Sequence, residues 1–149
     1  MIVYFDPSCI VKWFFVESGS DMAEEARTKA EVAVTSLLAF PEVCSAIRRA
    51  HDEKRCSKEE MAFARNAFLE AWNDLTWIRP NEDLVLETRS LIFEHGLRGY
   101  DAVHLASALT MKREARAEIL FSCFDRKLNR AAVAEGLHVH TGLIAGPLE

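Results

Sequence analysis

The sequence has no apolar run that approaches the roughly 20 residues needed for a transmembrane helix. Its opening letters, MIVYF, contain no basic residue and are followed by no small-residue cleavage site, so they do not resemble a secretory signal peptide. Of the 149 residues, 50% are hydrophobic and 28% are charged, the balance of an ordinary globular protein. We therefore expect a cytoplasmic protein without a membrane segment.

Cysteines are few and scattered, and no two of them form a C-x-x-C pair. This spacing excludes both a disulfide framework and a cysteine-rich zinc site. Buried, reduced thiols are the expected state of such residues. The four are Cys9, Cys44, Cys56 and Cys123.

The sequence has fewer basic than acidic residues, which gives a formal net charge of −5 at pH 7. This balance argues against a protein that coats nucleic acid nonspecifically, because such proteins carry a large basic surface. A local basic patch beside an acidic, metal-loaded site remains compatible with it.

Repeats, low-complexity tracts and Gly/Ser/Pro-rich linkers are absent, which predicts a single domain over residues 1–149. Apolar runs and helical periodicity alternate along the chain, which predicts an α/β fold with a mainly parallel sheet. Ligands of such sheets bind outside the carboxyl ends of the strands. Strands are predicted at residues 2–5, 32–36, 75–80, 118–123 and 137–141, and helices at 8–16, 20–31, 37–54, 57–72, 81–96, 100–116 and 126–136.

Four acids occupy strand exits or helix entries in this scheme. Asp6 follows the first strand and Asp125 follows "EILFSC", while Glu42 and Asp101 directly precede apolar i, i+3, i+4, i+7 stripes. Singly, Glu42 and Asp101 are also explained by the helix dipole, and Asp125 by helix capping. Asp6 is harder to explain in this way because its neighbours are apolar on both sides.

Taken together, the four acids favour a cation site. Two unit charges about 4 Å apart repel by about 4 kcal/mol at an effective dielectric of about 20. A hard divalent ion such as Mg²⁺ or Mn²⁺ removes that penalty and prefers oxygen ligands. A carboxylate-bound metal can activate water and neutralise charge on a phosphodiester.

Four segments resemble the PIN-domain ribonucleases, specifically the VapC-type toxins of prokaryotic toxin–antitoxin pairs. They appear in the order of that family and cover essentially the whole chain: "VYFDPSCIVKWF", "VTSLLAFPEVCSAIRR", "GYDAVHLASAL" and "LFSCFDRKLNRAAVAEGL". The third and fourth are the most specific. One position departs from the pattern, since Cys123 stands where the family usually has Ser or Thr.

The resemblance implies a three-layer α/β/α sandwich and a Mg²⁺-dependent endoribonuclease in which Mn²⁺ can substitute. It also implies a homodimer, a cognate antitoxin and an RNA substrate. In this scheme the catalytic and metal-binding residues are Asp6, Glu42, Asp101 and Asp125.

Several further residues are candidates with two interpretations each. Ser8 resembles the family's small hydroxyl near the metal, but it could equally cap the first helix. Lys12 and Arg98 are candidate phosphate contacts, as are Arg48 and Arg49, for which a solvated helix face is at least as good an explanation. His104 is expected to pack beneath the site or to position it, because a histidine ligand is unusual around Mg²⁺.

Apolar residues in the first and fourth helices suggest a groove for an antitoxin helix, with an ordinary core plus a dimer contact as the alternative. They are Trp13, Phe14, Phe63, Ala67 and Trp72. Two other functions stay open from the residues: another carboxylate–Mg²⁺ phosphoesterase, and a non-catalytic PIN fold that binds proteins.

Overall fold

A computed structural model describes residues 1–140 and shows five parallel strands in one sheet. The strands are β1 (Ile2–Phe5), β2 (Val32–Ser36), β3 (Thr76–Ile78), β4 (Ile119–Ser122) and β5 (His138–Val139). Their order is β3-β2-β1-β4-β5, so β1 is central and both of its neighbours run parallel to it. The predicted mainly parallel sheet is confirmed, and within residues 1–140 every strand pair is parallel.

Helices connect the strands and cover both faces of the sheet. Those in the described part of the chain are α1 (Pro7–Ile10), α2 (Ser20–Lys29), α3 (Ala39–Asp52), α4 (Lys58–Trp72), α5 (Glu82–His95), α6 (Gly99–Ala115) and α7 (Arg126–Ala134). Ser57 and Glu60 form the predicted capping box at the start of α4. Gly96 ends α5 in the left-handed conformation, with φ of 66°, which glycine adopts without steric cost.

The core consists of two clusters separated by the sheet. Along β1, Val3 and Phe5 point into a cluster with α1–α4, whereas Tyr4 points into a cluster with α5–α7. This alternation is the period of two of a strand whose faces are both covered. The three-layer α/β/α sandwich implied by the resemblance is therefore confirmed.

The first helix is shorter than predicted. Instead of running through residues 8–16, it comprises α1 and a 3₁₀ turn over Val11–Trp13. Trp13 packs edge-on against Phe5 with ring centroids 4.8 Å apart, and Phe14 packs against Phe68 at 5.9 Å. Ring packing into the core favours the tighter turn, an effect that helical periodicity does not reveal.

Two further boundaries differ from the prediction. The strand predicted at 137–141 is reduced to β5, and Thr141 lies outside the described residues. The long third helix is shorter at both ends than the predicted 37–54.

No helix within residues 1–140 combines the length and hydrophobicity needed to cross a bilayer.

Candidate active site

Asp6 lies at the carboxyl end of the central strand and caps α1. Its Oδ2 accepts hydrogen bonds from the backbone N–H of Ser8 (3.0 Å) and from the Ser8 hydroxyl (2.6 Å). Asp6 rather than Ser8 is thus the N-cap, so the capping role considered for Ser8 is wrong. The side chain is 5% exposed, and burial raises the pKa of Asp6 above its ordinary value, with the nearby charge of Asp101 adding to the effect.

Glu42 is tied to a buried histidine. His104 Nε2 lies 2.7 Å from Glu42 Oε1, and His104 Nδ1 lies 2.8 Å from the hydroxyl of Tyr4. A carboxylate only accepts hydrogen bonds, so Nε2 is the donor, and in the neutral ring Nδ1 accepts the Tyr4 proton. His104 is therefore buried and holds Glu42 in position, which fits the positioning role expected from the sequence.

The protonated form of His104 is stabilised in the fold. Burial lowers the pKa of His104, but the bond to Glu42 and the charges of Asp6 and Asp101 outweigh it, so the pKa is raised above 6.5. A raised folded-state pKa contributes stability that is complete below the unfolded-state pKa. That contribution is lost as the pH rises through the folded-state value.

Replacing His104 by leucine is expected to lower the free energy of unfolding by about 1–3 kcal/mol, because the buried Tyr4 hydroxyl loses its hydrogen bond to His104. Urea unfolding in EDTA at roughly pH 6 and roughly pH 8 should show wild-type stability falling with pH, and the variant should lose part of that slope. Tyr4→Phe is the control: it removes one hydrogen bond, leaves the Glu42 contact and keeps the slope. An unchanged slope in His104→Leu would contradict this account.

Asp101 lies in the first turn of α6 and pairs with Arg98. The Arg98 Nε donates to Asp101 Oδ2 at 3.0 Å, and the Arg98 side chain is 82% exposed. The bond to Asp101, together with the charges of Asp125 and Asp6, raises the pKa of Arg98. The guanidinium of Arg98 therefore interacts electrostatically with three of the four acids.

Asp125 caps α7, where its Oδ1 accepts the N–H of Leu128 at 2.8 Å. The thiol of Cys123 accepts the N–H of Asp125 at 3.3 Å and lies 3.8 Å from the Ser8 hydroxyl. The Ser8 hydroxyl in turn accepts the N–H of Phe124 at 3.1 Å. Sulfur thus occupies the place of the usual hydroxyl between the Asp6 and Asp125 segments.

Three of the four acids line one pocket of about 540 Å³ at the carboxyl edge of the sheet: Asp6, Glu42 and Asp101. Ser8, Arg49, Arg98 and Tyr100 also belong to its wall. Asp125 does not line this pocket, although its charge acts on Arg98 and Cys123. The structure therefore brings three of the predicted acids together in one pocket, and the fourth does not line it.

The carboxylate oxygens of the four acids do not surround a common point. No three of these acids place ligand oxygens within 4.8 Å of one another in the described residues. Each acid is instead held by one group of the chain: Ser8, His104, Arg98 or the Leu128 N–H. Like charges favour this separation.

The donor set nevertheless suits a hard cation. Each of these bonds uses a single carboxylate oxygen, and within residues 1–140 the second oxygen of each acid has no hydrogen bond. No lysine or arginine in the same range pairs with the buried Asp6 or with Glu42. An all-oxygen site with an excess of negative charge is the kind that Mg²⁺ and Mn²⁺ bind.

The basic candidates separate in space. Lys12 does not line the pocket, because its ammonium donates to Glu17 Oε1 (3.0 Å) and to the Ser18 carbonyl (2.7 Å). Arg48 pairs with Asp52 on the exposed face of α3. Arg49 lines the pocket and has no ion pair among the described residues. The sequence does not distinguish these two arginines; the structure does, because Arg49 lines the pocket and Arg48 does not.

The predicted apolar groove is mostly core. Trp72 is 7% exposed and stacks on Trp77 with centroids 5.2 Å apart, so its assignment to the groove is wrong. Trp13 likewise packs on Phe5. Phe14 and the 75% exposed Phe63 do face a common depression of about 630 Å³, which Phe15 and Val16 complete.

Comparison with known proteins identifies the family. Residues 3–134 match the PIN domain. Ribonucleases VapC45 and VapC49 from two strains of Mycobacterium tuberculosis are each 33% identical over 138 residues, which are 93% of this chain and 94% of each relative. The crystal structure of PAE2754 from Pyrobaculum aerophilum shares the fold with a TM-score of 0.61 at 17% identity, over 93% of this chain and 89% of that one. The chain belongs to the PIN-domain family and is of the VapC type.

Proposed function

We propose that this chain is a metal-dependent endoribonuclease that hydrolyses RNA phosphodiester bonds and acts as the toxin of a toxin–antitoxin pair. The observation that carries the proposal is the convergence of Asp6, Glu42 and Asp101 on one pocket at the carboxyl edge of the sheet. The relatives named as ribonucleases support the choice of RNA as the substrate. Because RNA is the substrate, we propose action in the cytoplasm.

Asp6, Glu42, Asp101 and Asp125 would hold the cation, Mg²⁺ or Mn²⁺. A bound cation supplies water activation and neutralises charge on the phosphate. The chain's own contribution is to fix the carboxylates. Ser8 holds Asp6 through two hydrogen bonds, His104 holds Glu42, and the cap at α7 holds Asp125.

Arg49 and Arg98 are the proposed phosphate contacts. Both line the pocket, and both are exposed. Phosphate contacts set affinity and register, not sequence choice, so these arginines would orient the RNA strand over the acids. Arg98 also pairs with Asp101; if Asp101 helps to hold a cation, the guanidinium of Arg98 would be available for the phosphate.

Metal removal tests the proposal. Incubation of the purified protein with EDTA is expected to abolish cleavage of a total RNA preparation, and excess Mg²⁺ or Mn²⁺ is expected to restore it, because the acids alone repel the phosphate. Gel analysis of the RNA measures cleavage, and circular dichroism confirms that the fold persists in EDTA. Undiminished cleavage in EDTA would contradict metal dependence, and no cleavage under any condition would favour a non-catalytic protein-binding role.

The antitoxin is proposed to dock in the depression formed by Phe14, Phe15, Val16 and Phe63. Phe63 is 75% exposed, and polar side chains including Glu59 and Glu60 form the rim. An apolar floor with a polar rim is the usual surface for an amphipathic helix. The depression shares no lining residue with the acid pocket, so docking need not occupy the catalytic groups.

Phe63→Ser is expected to weaken binding of the small protein encoded next to this chain by about tenfold or more, since exposed aromatic anchors dominate such interfaces. RNA cleavage by the free variant should match wild type. Titration calorimetry measures the affinity. Leu69→Ser is the matched control, a 43% exposed residue of the same helix that does not line the depression. Equal weakening by both variants would place the antitoxin elsewhere on α4.

A homodimer is also proposed. Leu86 and Phe93 lie seven residues apart on α5 and are 65% and 85% exposed. Large apolar side chains exposed on one helix face are typical of a protein interface.

A further inference from the structure

A second cavity adjoins the acid pocket. It measures about 590 Å³, and Glu42, Arg98, Tyr100 and Asp101 line both cavities. The rest of its wall is largely apolar or small, from Val85, Thr88, Gly99 and Val103. Its size is within the range of small-molecule sites in proteins and is sufficient for one nucleotide.

Tyr100 is the side chain shared by the two cavities that has no other structural role. It is 64% exposed and makes no hydrogen bond or ring contact within residues 1–140. Most large aromatic side chains of the protein are buried in the two core clusters or pack, partly buried, against them. An exposed, unpartnered ring adjacent to Asp101 is therefore available for a ligand.

We propose that Tyr100 and the adjoining cavity form a nucleobase subsite, in which the ring stacks on the base that flanks the scissile phosphate. The inference rests on the proposed ribonuclease function. Continuity with the acid pocket selects this occupant, because Tyr100 and Asp101 line both cavities, so a strand whose phosphate lies over Asp101 has its neighbouring base within reach of the ring. Arg98, 82% exposed, lies on the same rim and is available to the backbone.

Stacking fits the chemistry of the subsite. Among residues 1–140, the charged groups of its wall are Glu42, Arg98 and Asp101, which already serve the acid pocket. The subsite therefore offers a ring, aliphatic surface and few hydrogen-bond partners. Stacking on an aromatic ring accepts every base and orders a single strand without reading its sequence. Tyr100 would thus position RNA and contribute little to base choice. A peptide partner is the competing occupant.

The test combines protein and RNA changes. The probes are a short oligoribonucleotide that spans a cleavage site mapped with wild type, and a series of copies with one abasic nucleotide each. For wild type, one abasic position beside the cleaved bond should lower kcat/KM by roughly tenfold, the usual effect of one stacked base. Tyr100→Ala should show the same loss on the intact oligonucleotide and no further loss at that abasic position.

Two variants sharpen the result. Tyr100→Phe keeps the ring and should retain the wild-type profile, whereas Leu69→Ser removes an exposed apolar side chain that lines neither cavity and should not alter it. If wild type cleaves but the Tyr100→Ala and abasic losses simply add, the subsite is overturned and the ribonuclease proposal stands. If Tyr100→Ala changes only antitoxin binding, the cavity belongs to a peptide. If wild type cleaves no RNA, both proposals fail.

Discussion

Asp101→Asn is expected to reduce RNA cleavage by at least about 100-fold, the scale on which removal of one catalytic charge acts. The amide is a weaker ligand and leaves the charge of a bound cation less well balanced. The fold should persist, because an acid in the first turn of a helix contributes only about 0.3–1 kcal/mol through the dipole. Induction of wild type and variant in cells, followed by mapping of RNA ends, measures the loss.

Asp83→Asn is the matched control. Asp83 also lies in the first turn of its helix, α5, but does not line the acid pocket. The Asp83→Asn substitution therefore removes a comparable interaction with the helix dipole without altering the acid pocket, and RNA cleavage by this variant should match wild type. An Asp101→Asn protein that folds, binds its antitoxin and still cuts RNA at the wild-type rate would contradict the assignment of Asp101 as a catalytic residue.

The architecture and the positions of the acids follow from local sequence. Strand and helix alternation predicts the parallel sheet, and Asp6 directly follows a buried strand, so its place at the carboxyl edge needs no tertiary information. Glu42 and Asp101 each precede an apolar stripe that must face the sheet, which directs both toward the same edge. That three of the four acids share one pocket is seen only in the structure, because spacing alone does not establish that distant acids meet.

Contacts between distant segments could not be predicted in this way. His104 and Glu42 are 62 positions apart, and Tyr4 and His104 are 100 apart, so no periodicity links them. The sequence held only one signal of this contact: His104 lies in an otherwise apolar segment, and a histidine that is buried must find a hydrogen-bond partner. The sequence could not distinguish core from groove at Trp72 either, since both environments select large apolar side chains.

Asp6→Asn is expected to abolish cleavage and, in EDTA, to raise the free energy of unfolding by roughly 1–2 kcal/mol, the range for relieving a buried polar group. Asparagine caps a helix as well as aspartate does, and its carbonyl can accept the same Ser8 bonds. The sign follows from the pKa. Burial raises the pKa of Asp6, so its stability contribution is complete below 3.8 and is lost as the pH rises through the folded-state value. At neutral pH the charge is a cost.

Asp125→Asn separates this cost from helix capping. Asp125 also caps a helix, but it is less buried than Asp6, so the same change should alter stability by less than about 0.5 kcal/mol. Urea unfolding with and without Mg²⁺ compares the two variants. Added Mg²⁺ should stabilise wild type more than Asp6→Asn, because binding to the folded state alone adds to its stability. If Asp6→Asn were less stable than wild type in EDTA, the carboxylate of Asp6 would stabilise the metal-free fold. That result would contradict the account in which its buried charge is a cost.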